Sequence, residues 1–269
     1  MPQKELIPNL FRQEFSKIVS VLCKTYGLSN LQLAEDAVSD TFLKASETWA
    51  FKGLPDNPKA WLYQVSKNRL KDLLKRDQLF DQKIAPDLAY ESPAQKEPEI
   101  ELNSTLIKDN LLQMLFAVCH PDLPQEGKVA LALRVLCGFG IDEIATALLS
   151  NKQAINKRLL RTKEKIKVLG IKMDFPSEQE LQERLNSVLS VLYLMFNEGY
   201  YSSSNKKAIR KELCFESMRL TYMLTSPEKT NLPQVSALLS LFCFQSSRFE
   251  ARINKNGDNV LYEDQNPND

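Results

Sequence analysis

The sequence contains little glycine, a single histidine and no long apolar run. Glycine supplies 8 of the 269 residues, and leucine, lysine, glutamate, glutamine and alanine are abundant, which favours helices throughout. No apolar run approaches the roughly 20 residues that span a bilayer, and the N-terminal MPQKELIPNLF lacks the apolar core of a signal peptide. We therefore predict an all-α protein without membrane insertion.

The five cysteines are scattered and odd in number, which argues against a disulfide framework and favours a reducing cytoplasm. Cys119, His120 and Cys137 include no CxxC pair and lack a fourth ligand, so we predict no metal site. For His120 we expect a local hydrogen bond at a helix end. The chain also has no glycine-rich phosphate loop and no Ser/His/Asp or Cys/His arrangement with recognisable context. We therefore predict no cofactor and no enzymatic activity.

Proline and charge divide the chain into segments. The stretch LFDQKIAPDLAYESPAQKEPEIE combines three prolines with a surplus of acids, a composition typical of an extended linker. We predict five segments in chain order: a helical block at 5–78, a linker at 79–101, a second helical block at 102–169, a helical extension at 176–252 and a polar tail at 253–269. The net charge of +1 means that nucleic-acid binding would depend on local basic patches.

Residues 141–167, IDEIATALLSNKQAINKRLLRTKEKIK, predict a helix, a short turn and a strongly basic second helix. Ser150 and Gln153 have the spacing of a capping box, so we expect the second helix to begin there. From Lys152 to Lys167 there are seven basic residues and one acid. The apolar positions at helical spacing in this second helix are Ile155, Leu159 and Ile166.

The basic residues Lys157, Arg158 and Arg161 point away from those apolar positions. An apolar back and a cationic front are what a recognition helix needs in order to dock in a nucleic-acid groove. A basic amphipathic helix is also commonly a solvated surface and nothing more, and the pattern alone leaves both interpretations open.

The first block contains an acidic helix, LQLAEDAVSDTFLKASETW. Its apolar face is formed by Ala34, Val38, Phe42, Ala45 and Trp49. The acids expected to lie mainly away from that face are Glu35, Asp36, Asp40 and Glu47. This acidic surface is either solvated or a docking site for a basic partner.

The next helix, KAWLYQVSKNRLKDLLKR at 59–76, has six basic residues against one acid. Trp61 and Tyr63 are interleaved with Lys67, Asn68 and Arg69. Basic residues supply phosphate contacts, and exposed aromatic rings can stack on unpaired bases. Burial in the core is the simpler role for Trp61.

Taken together, these segments resemble a known family. AEDAVSDTFLKASETW, DNPKAWLYQVSKNRLKDLLKR, a proline-bearing linker and LPQEGKVALALRVLCGFGIDEIATALLSNKQAINKRLLRTKEKI occur in the order found in bacterial sigma factors of the sigma-70 superfamily. They are most similar to the extracytoplasmic-function (ECF) type, which keeps only regions 2 and 4. AVCHPDLPQEGKVALALR and LNSVLSVLYLMFNEGYYSS resemble the subgroup with a helical C-terminal extension of DUF6596 or tetratricopeptide-like type.

The resemblance implies a region 2 bundle, a linker, a helix-turn-helix region 4 and a helical extension. It implies a sigma factor that directs RNA polymerase core to promoter DNA and starts transcription without catalysing a reaction itself. The polymerase contacts would be the β′ clamp helices and the β flap. The acidic helix matches region 2.2, and the residues implied in polymerase docking are Glu35, Asp36 and Asp40.

The resemblance also implies which residues contact DNA. The residues implied at the promoter −10 element, in regions 2.3–2.4, are Trp61, Asn68, Arg69 and Lys71, with the loop 51–58 near a flipped base. The residues implied at the −35 element, in region 4.2, are Asn156, Lys157, Arg158 and Arg161.

Two other function classes remain compatible with the residues alone. One is an autonomous helix-turn-helix regulator that binds duplex DNA as a dimer, and the other is a helical scaffold whose basic faces are merely solvated. For the extension we expect an apolar helical stripe of Leu181, Leu185, Val188, Leu192 and Met195, followed by a helix end at 196–201 in which Gly199 is able to adopt a left-handed cap conformation. We expect the extension to regulate regions 2 and 4 in place of a separate anti-sigma factor; the alternative is a self-contained helical domain.

Overall fold

A computed structural model describes residues 3–84, 104–200, 211–252 and 260, and within these ranges it contains helices and no strand. The prediction of an all-α fold is confirmed. The α-helices are α1 (Gln3–Tyr26), α2 (Leu31–Lys52), α3 (Pro58–Ile84), α4 (Ser104–Val118), α5 (Gln125–Val135), α6 (Ile141–Ala147), α7 (Lys152–Leu169), α8 (Glu178–Tyr200), α9 (Lys211–Met223), α10 (Pro233–Ser246) and α11 (Phe249–Arg252), with a short 3-10 helix at Leu28–Asn30.

Helix α3 continues to Ile84, so it extends into the segment predicted as a linker. The remainder of that linker, 85–101, and the predicted polar tail apart from Val260 lie outside the described residues. No helix among the described residues is both long enough and apolar enough to cross a membrane.

The chain divides into two compact units. One comprises Met1–Ala117, Val135–Gly138 and Lys163–Asp174, and the other comprises Val118–Arg134, Phe139–Thr162 and Phe175–Asp269. The division therefore passes through α7 after Thr162.

In the first unit, α2 packs against α1 and α3. Its predicted apolar face is confirmed, because Ala34, Val38, Phe42, Ala45 and Trp49 are all buried. From α1, the ring of Phe11 lies 5.0 Å from that of Phe42, edge to face. Each fully buried large apolar side chain of this kind contributes about 1.5–3 kcal/mol. The packing therefore fixes which side of α2 is left for polar residues.

In the second unit, α8 packs against α9 and α10. The predicted stripe on α8 is confirmed at Leu185, Val188, Leu192 and Met195, which are buried, whereas Leu181 is half-buried. The rings of Phe196 and Phe242 stack with centroids 4.2 Å apart.

The prediction of a left-handed cap at Gly199 is wrong. The helix continues to Tyr200, and Gly199 is one of its buried residues. Because glycine has no side chain, it fits a buried position inside a helix. Gly199 is at such a position and does not need the left-handed backbone of a cap.

Candidate functional site

The three acids of α2 have different surroundings. Asp36 and Asp40 are exposed, whereas Glu35 is buried. The expectation that Glu35 lies away from the packed face is therefore wrong. The reason is the helical period, since Glu35 follows Ala34 and precedes Val38 by three residues, which places it beside the apolar face.

Glu35 is paired inside the first unit with Lys163, from the last part of α7. The two side chains are 2% and 11% exposed. The Lys163 ammonium also donates to the side-chain oxygen of Gln32 at 2.7 Å. Burial, and next the Glu35 carboxylate, raise the pKa of the Cys23 thiol. The two residues thus form a desolvated ion pair, in which the charge of each offsets the cost of burying the charge of the other.

Asp40 joins α2 to α3. Its carboxylate accepts from Arg69 through Nη2 at 2.6 Å and through Nε at 2.8 Å. Asp40 is one of the residues implied in polymerase docking, and Arg69 is one of those implied in DNA contact. The structure thus holds these two residues in one partly exposed ion pair.

The aromatic and polar residues of α3 divide between packing and solvent. Trp61 is half-buried, and its ring lies edge to face on Trp49 with centroids 5.3 Å apart, which favours the packing role for Trp61. Asn68 is exposed and accepts from Gln64 at 3.2 Å. Lys71 is half-buried.

The loop after α2 was the remaining prediction for the −10 element. The predicted segment, 51–58, begins in the last turn of α2, where the Phe51 side chain is 91% exposed. Leu54 is also exposed. An exposed aromatic ring such as that of Phe51 is able to stack on an unpaired base.

The turn before α7 differs from the predicted capping box. The first turn is capped by Asn151, whose side-chain oxygen accepts from the backbone N–H of Ala154 at 2.8 Å. Ser150 instead donates its backbone N–H to Ala145 at 2.8 Å, closing the end of α6. This closure places Leu149 at φ 46°, a left-handed conformation that costs a non-glycine residue about 1–2 kcal/mol.

Helix α7 is amphipathic, as predicted. Ile155, Leu159 and Ile166 are buried. The side chains exposed on the other side include Asn156, Lys157, Leu160 and Arg161.

Arg158 differs from its basic neighbours on α7. It is half-buried, and its guanidinium lies 2.9 Å from the Glu126 carboxylate of α5. Sequence periodicity did not identify this pair, because it joins two helices. Asn156, Lys157 and Arg161 consequently form the polar surface presented to solvent, and asparagine and arginine are residue types that read base edges.

Helix α5 lies very close to α7. A side-chain carbon added at Gly127 would overlap the Thr162 hydroxyl oxygen well inside van der Waals contact. That hydroxyl donates to the Arg158 carbonyl at 2.7 Å. A glycine inside an otherwise good helix was the sequence signal for this close approach.

A group of polar side chains connects α8 to the chain before α5. Lys128 donates to Ser187 at 2.9 Å, and the Ser187 hydroxyl donates to the Cys119 carbonyl at 2.6 Å. His120 Nδ1 accepts the Asp122 backbone N–H at 3.3 Å, which confirms its local role. Burial, followed by the nearby Arg184 guanidinium, lowers the pKa of His120.

The chemistry of this group does not suit a metal ion. Burial raises the pKa of the Cys119 thiol to about 12, whereas a cysteine ligand must be a thiolate. Within the part of the chain that the structure describes, no three His, Cys, Asp or Glu side chains are grouped to hold a metal ion.

Two family models match separate parts of the chain. Residues 10–79 match sigma-70 region 2, which covers the acidic α2 and most of α3. Residues 184–269 match a family of unknown function, DUF6596.

Two relatives extend the comparison. An uncharacterized protein of Rhizobium meliloti (strain 1021) is 33% identical over 238 residues, which cover 88% of this chain and 56% of that protein. The RNA polymerase sigma factor YlaC of Bacillus subtilis (strain 168) is 25% identical over 169 residues, which cover 62% of this chain and 93% of that protein. No solved structure matches the chain significantly. The chain is therefore similar to the sigma-70 family over region 2 at residues 10–79, and to DUF6596 over residues 184–269.

Proposed function

We propose that the chain is a sigma factor of ECF type, which binds RNA polymerase core and directs it to specific promoters. The observation that carries the proposal is the sigma-70 region 2 match at 10–79, together with the exposed acids Asp36 and Asp40 that α2 presents within it. A carboxylate surface is complementary to a basic partner and steers its approach.

The DNA-binding side of the proposal uses two surfaces. In region 2, the exposed Asn68 and the ion-paired Arg69 of α3 would contact the −10 element, with Phe51 available to stack on a flipped base. On α7, Asn156, Lys157 and Arg161 would enter the major groove at the −35 element. Each surface is small, so both would become effective when polymerase fixes their separation.

The roles of the remaining residues follow from their pairings. Arg158, held by Glu126, would orient α7 in addition to any DNA contact. Trp61, packed on Trp49, would support the start of α3. For Glu35 to reach polymerase, its ion pair with Lys163 would have to open.

The test is in vitro transcription with purified core polymerase and a promoter library. We expect transcripts from a defined promoter class only when both core and this protein are present. Asp36→Arg should weaken core binding at least tenfold, because it places a like charge against a basic surface. The matched control is Ser46→Arg on the same helix, at an exposed position outside the acidic surface.

The same assay separates the alternatives. Sequence-specific binding to duplex DNA in the absence of core would support an autonomous regulator instead. If neither core nor DNA binds, the scaffold interpretation stands and the proposal is wrong. If Asp36→Arg and wild type bound core with equal affinity, Asp36 and the face of α2 that presents it would not be part of the docking surface.

A further inference from the structure

An apolar side chain, Leu160, lies in the middle of the exposed polar surface of α7. It is 55% exposed. Asn156 precedes it by four residues and Lys157 by three, so both are its neighbours on the helix surface. Arg161 follows it directly and is also exposed. Leu160 thus has residues proposed to contact DNA on its N-terminal side, whereas its neighbours three and four residues further on are Lys163, which is paired with Glu35, and the exposed Glu164.

The opposite side of α7 already satisfies the packing of the helix. Ile155, Leu159 and Ile166 are buried, and Leu160 is not needed to complete that apolar face. Single exposed apolar residues are common on protein surfaces. What distinguishes Leu160 is its setting, because asparagine, lysine and arginine around it are the side chains that hydrogen-bond base edges and phosphates.

A leucine side chain has no hydrogen-bonding group, so it can read only apolar surface. In the major groove, the apolar feature that differs between base pairs is the C5-methyl group of thymine. Packing that methyl against Leu160 would remove apolar area of both groups from water, which is favourable.

We propose that Leu160 is a specificity-determining residue, which packs against the C5-methyl group of a thymine in the −35 element. The inference rests on the proposed function and deepens it. Arg158 lies in a partly exposed ion pair with Glu126, and we assign base-edge contacts to Asn156, Leu160 and Arg161 in addition to any contact of Arg158. Asn156 precedes Leu160 by one turn of α7, and its amide suits an adenine close to the thymine that Leu160 contacts.

The test removes single methyl groups from DNA. Promoter fragments are made in which each −35 thymine in turn is replaced by deoxyuridine, and the affinity of the reconstituted holoenzyme is measured for each fragment. We expect one position at which wild-type affinity falls about fourfold, the loss that corresponds to one buried methyl group.

Leu160→Ala should bind thymine and deoxyuridine equally at that position. Leu160→Gln keeps the side-chain length and should lose the preference as well. The matched control is Val168→Ala, an exposed apolar residue two turns further along α7, which should keep the full fourfold difference. Because Leu160 is exposed, circular dichroism of all three variants should match wild type.

Two results would overturn the inference: no thymine position sensitive to deoxyuridine in wild type, or the same sensitivity in Leu160→Ala. In both cases wild-type protein would still transcribe from the unmodified promoter. Absence of any core-dependent transcription by wild type would instead overturn the proposed function, so the two failures are distinguishable.

Discussion

Replacing Lys163 by methionine should destabilise the protein strongly. The substitution keeps an unbranched apolar stem but leaves the carboxylate of Glu35, 2% exposed, without its cation. Removing one partner of a buried ion pair costs about 3–5 kcal/mol. The contact of Lys163 with Gln32 is lost as well, but the 11% exposure of the lysine lets some water reach the site. We therefore expect a loss of about 3 kcal/mol.

The measurement is the free energy of unfolding from urea titrations followed by circular dichroism. Lys165→Met is the matched control, since Lys165 is an exposed lysine on the same helix, and surface substitutions of this kind usually stay within about 0.5 kcal/mol. The double variant Lys163→Met with Glu35→Leu should recover most of the loss, because neither charge of this pair is then left buried. If Lys163→Met and Lys165→Met were equally stable, the argument that this pair is desolvated would be refuted.

Two further predictions concern the second unit. Gly127→Ala should lower the free energy of unfolding by about 1–3 kcal/mol through overpacking, because its new methyl group meets Thr162. Combining it with Thr162→Ala should restore part of the loss, and additive effects in this double-mutant cycle would contradict the close approach. Burial and Arg184 lower the pKa of His120, so between its folded value and the unfolded value of about 6.5 the unfolded chain binds more protons. Stability should therefore fall as the pH drops below about 6.5, and urea titrations across that range should show a shallower fall for His120→Gln.

The buried faces of the helices were predictable from the sequence. The apolar period of α2, α7 and α8 predicts directly which side of each helix faces a core. The apolar positions predicted on α2, and those on α8 from Leu185 to Met195, are buried accordingly. The exposed acids Asp36 and Asp40 follow from the same period. These predictions needed no information beyond a single helix.

The ion pairs of Glu35 and Arg158 were not predictable, because each joins helices that are distant in the sequence. The buried Glu35 is paired with Lys163, and nothing near Glu35 in the sequence identifies that partner. Arg158 and Glu126 are a second example. The predicted cap of α7 was wrong for a local reason, because Ser150 and Asn151 are both good capping residues. Ser150 closes the end of α6, and Asn151 caps α7 instead.

The ion pair between Asp40 and Arg69 links the two binding events proposed for region 2. A phosphate that takes the guanidinium of Arg69 leaves the carboxylate of Asp40 available to a basic partner, and a partner that takes Asp40 leaves Arg69 available to a phosphate. By thermodynamic reciprocity, each ligand then raises the affinity of the other by the same factor. A partly exposed pair contributes about 0.2–1 kcal/mol, which limits that factor to about five. This pair would therefore make polymerase and promoter weakly cooperative ligands of the same protein.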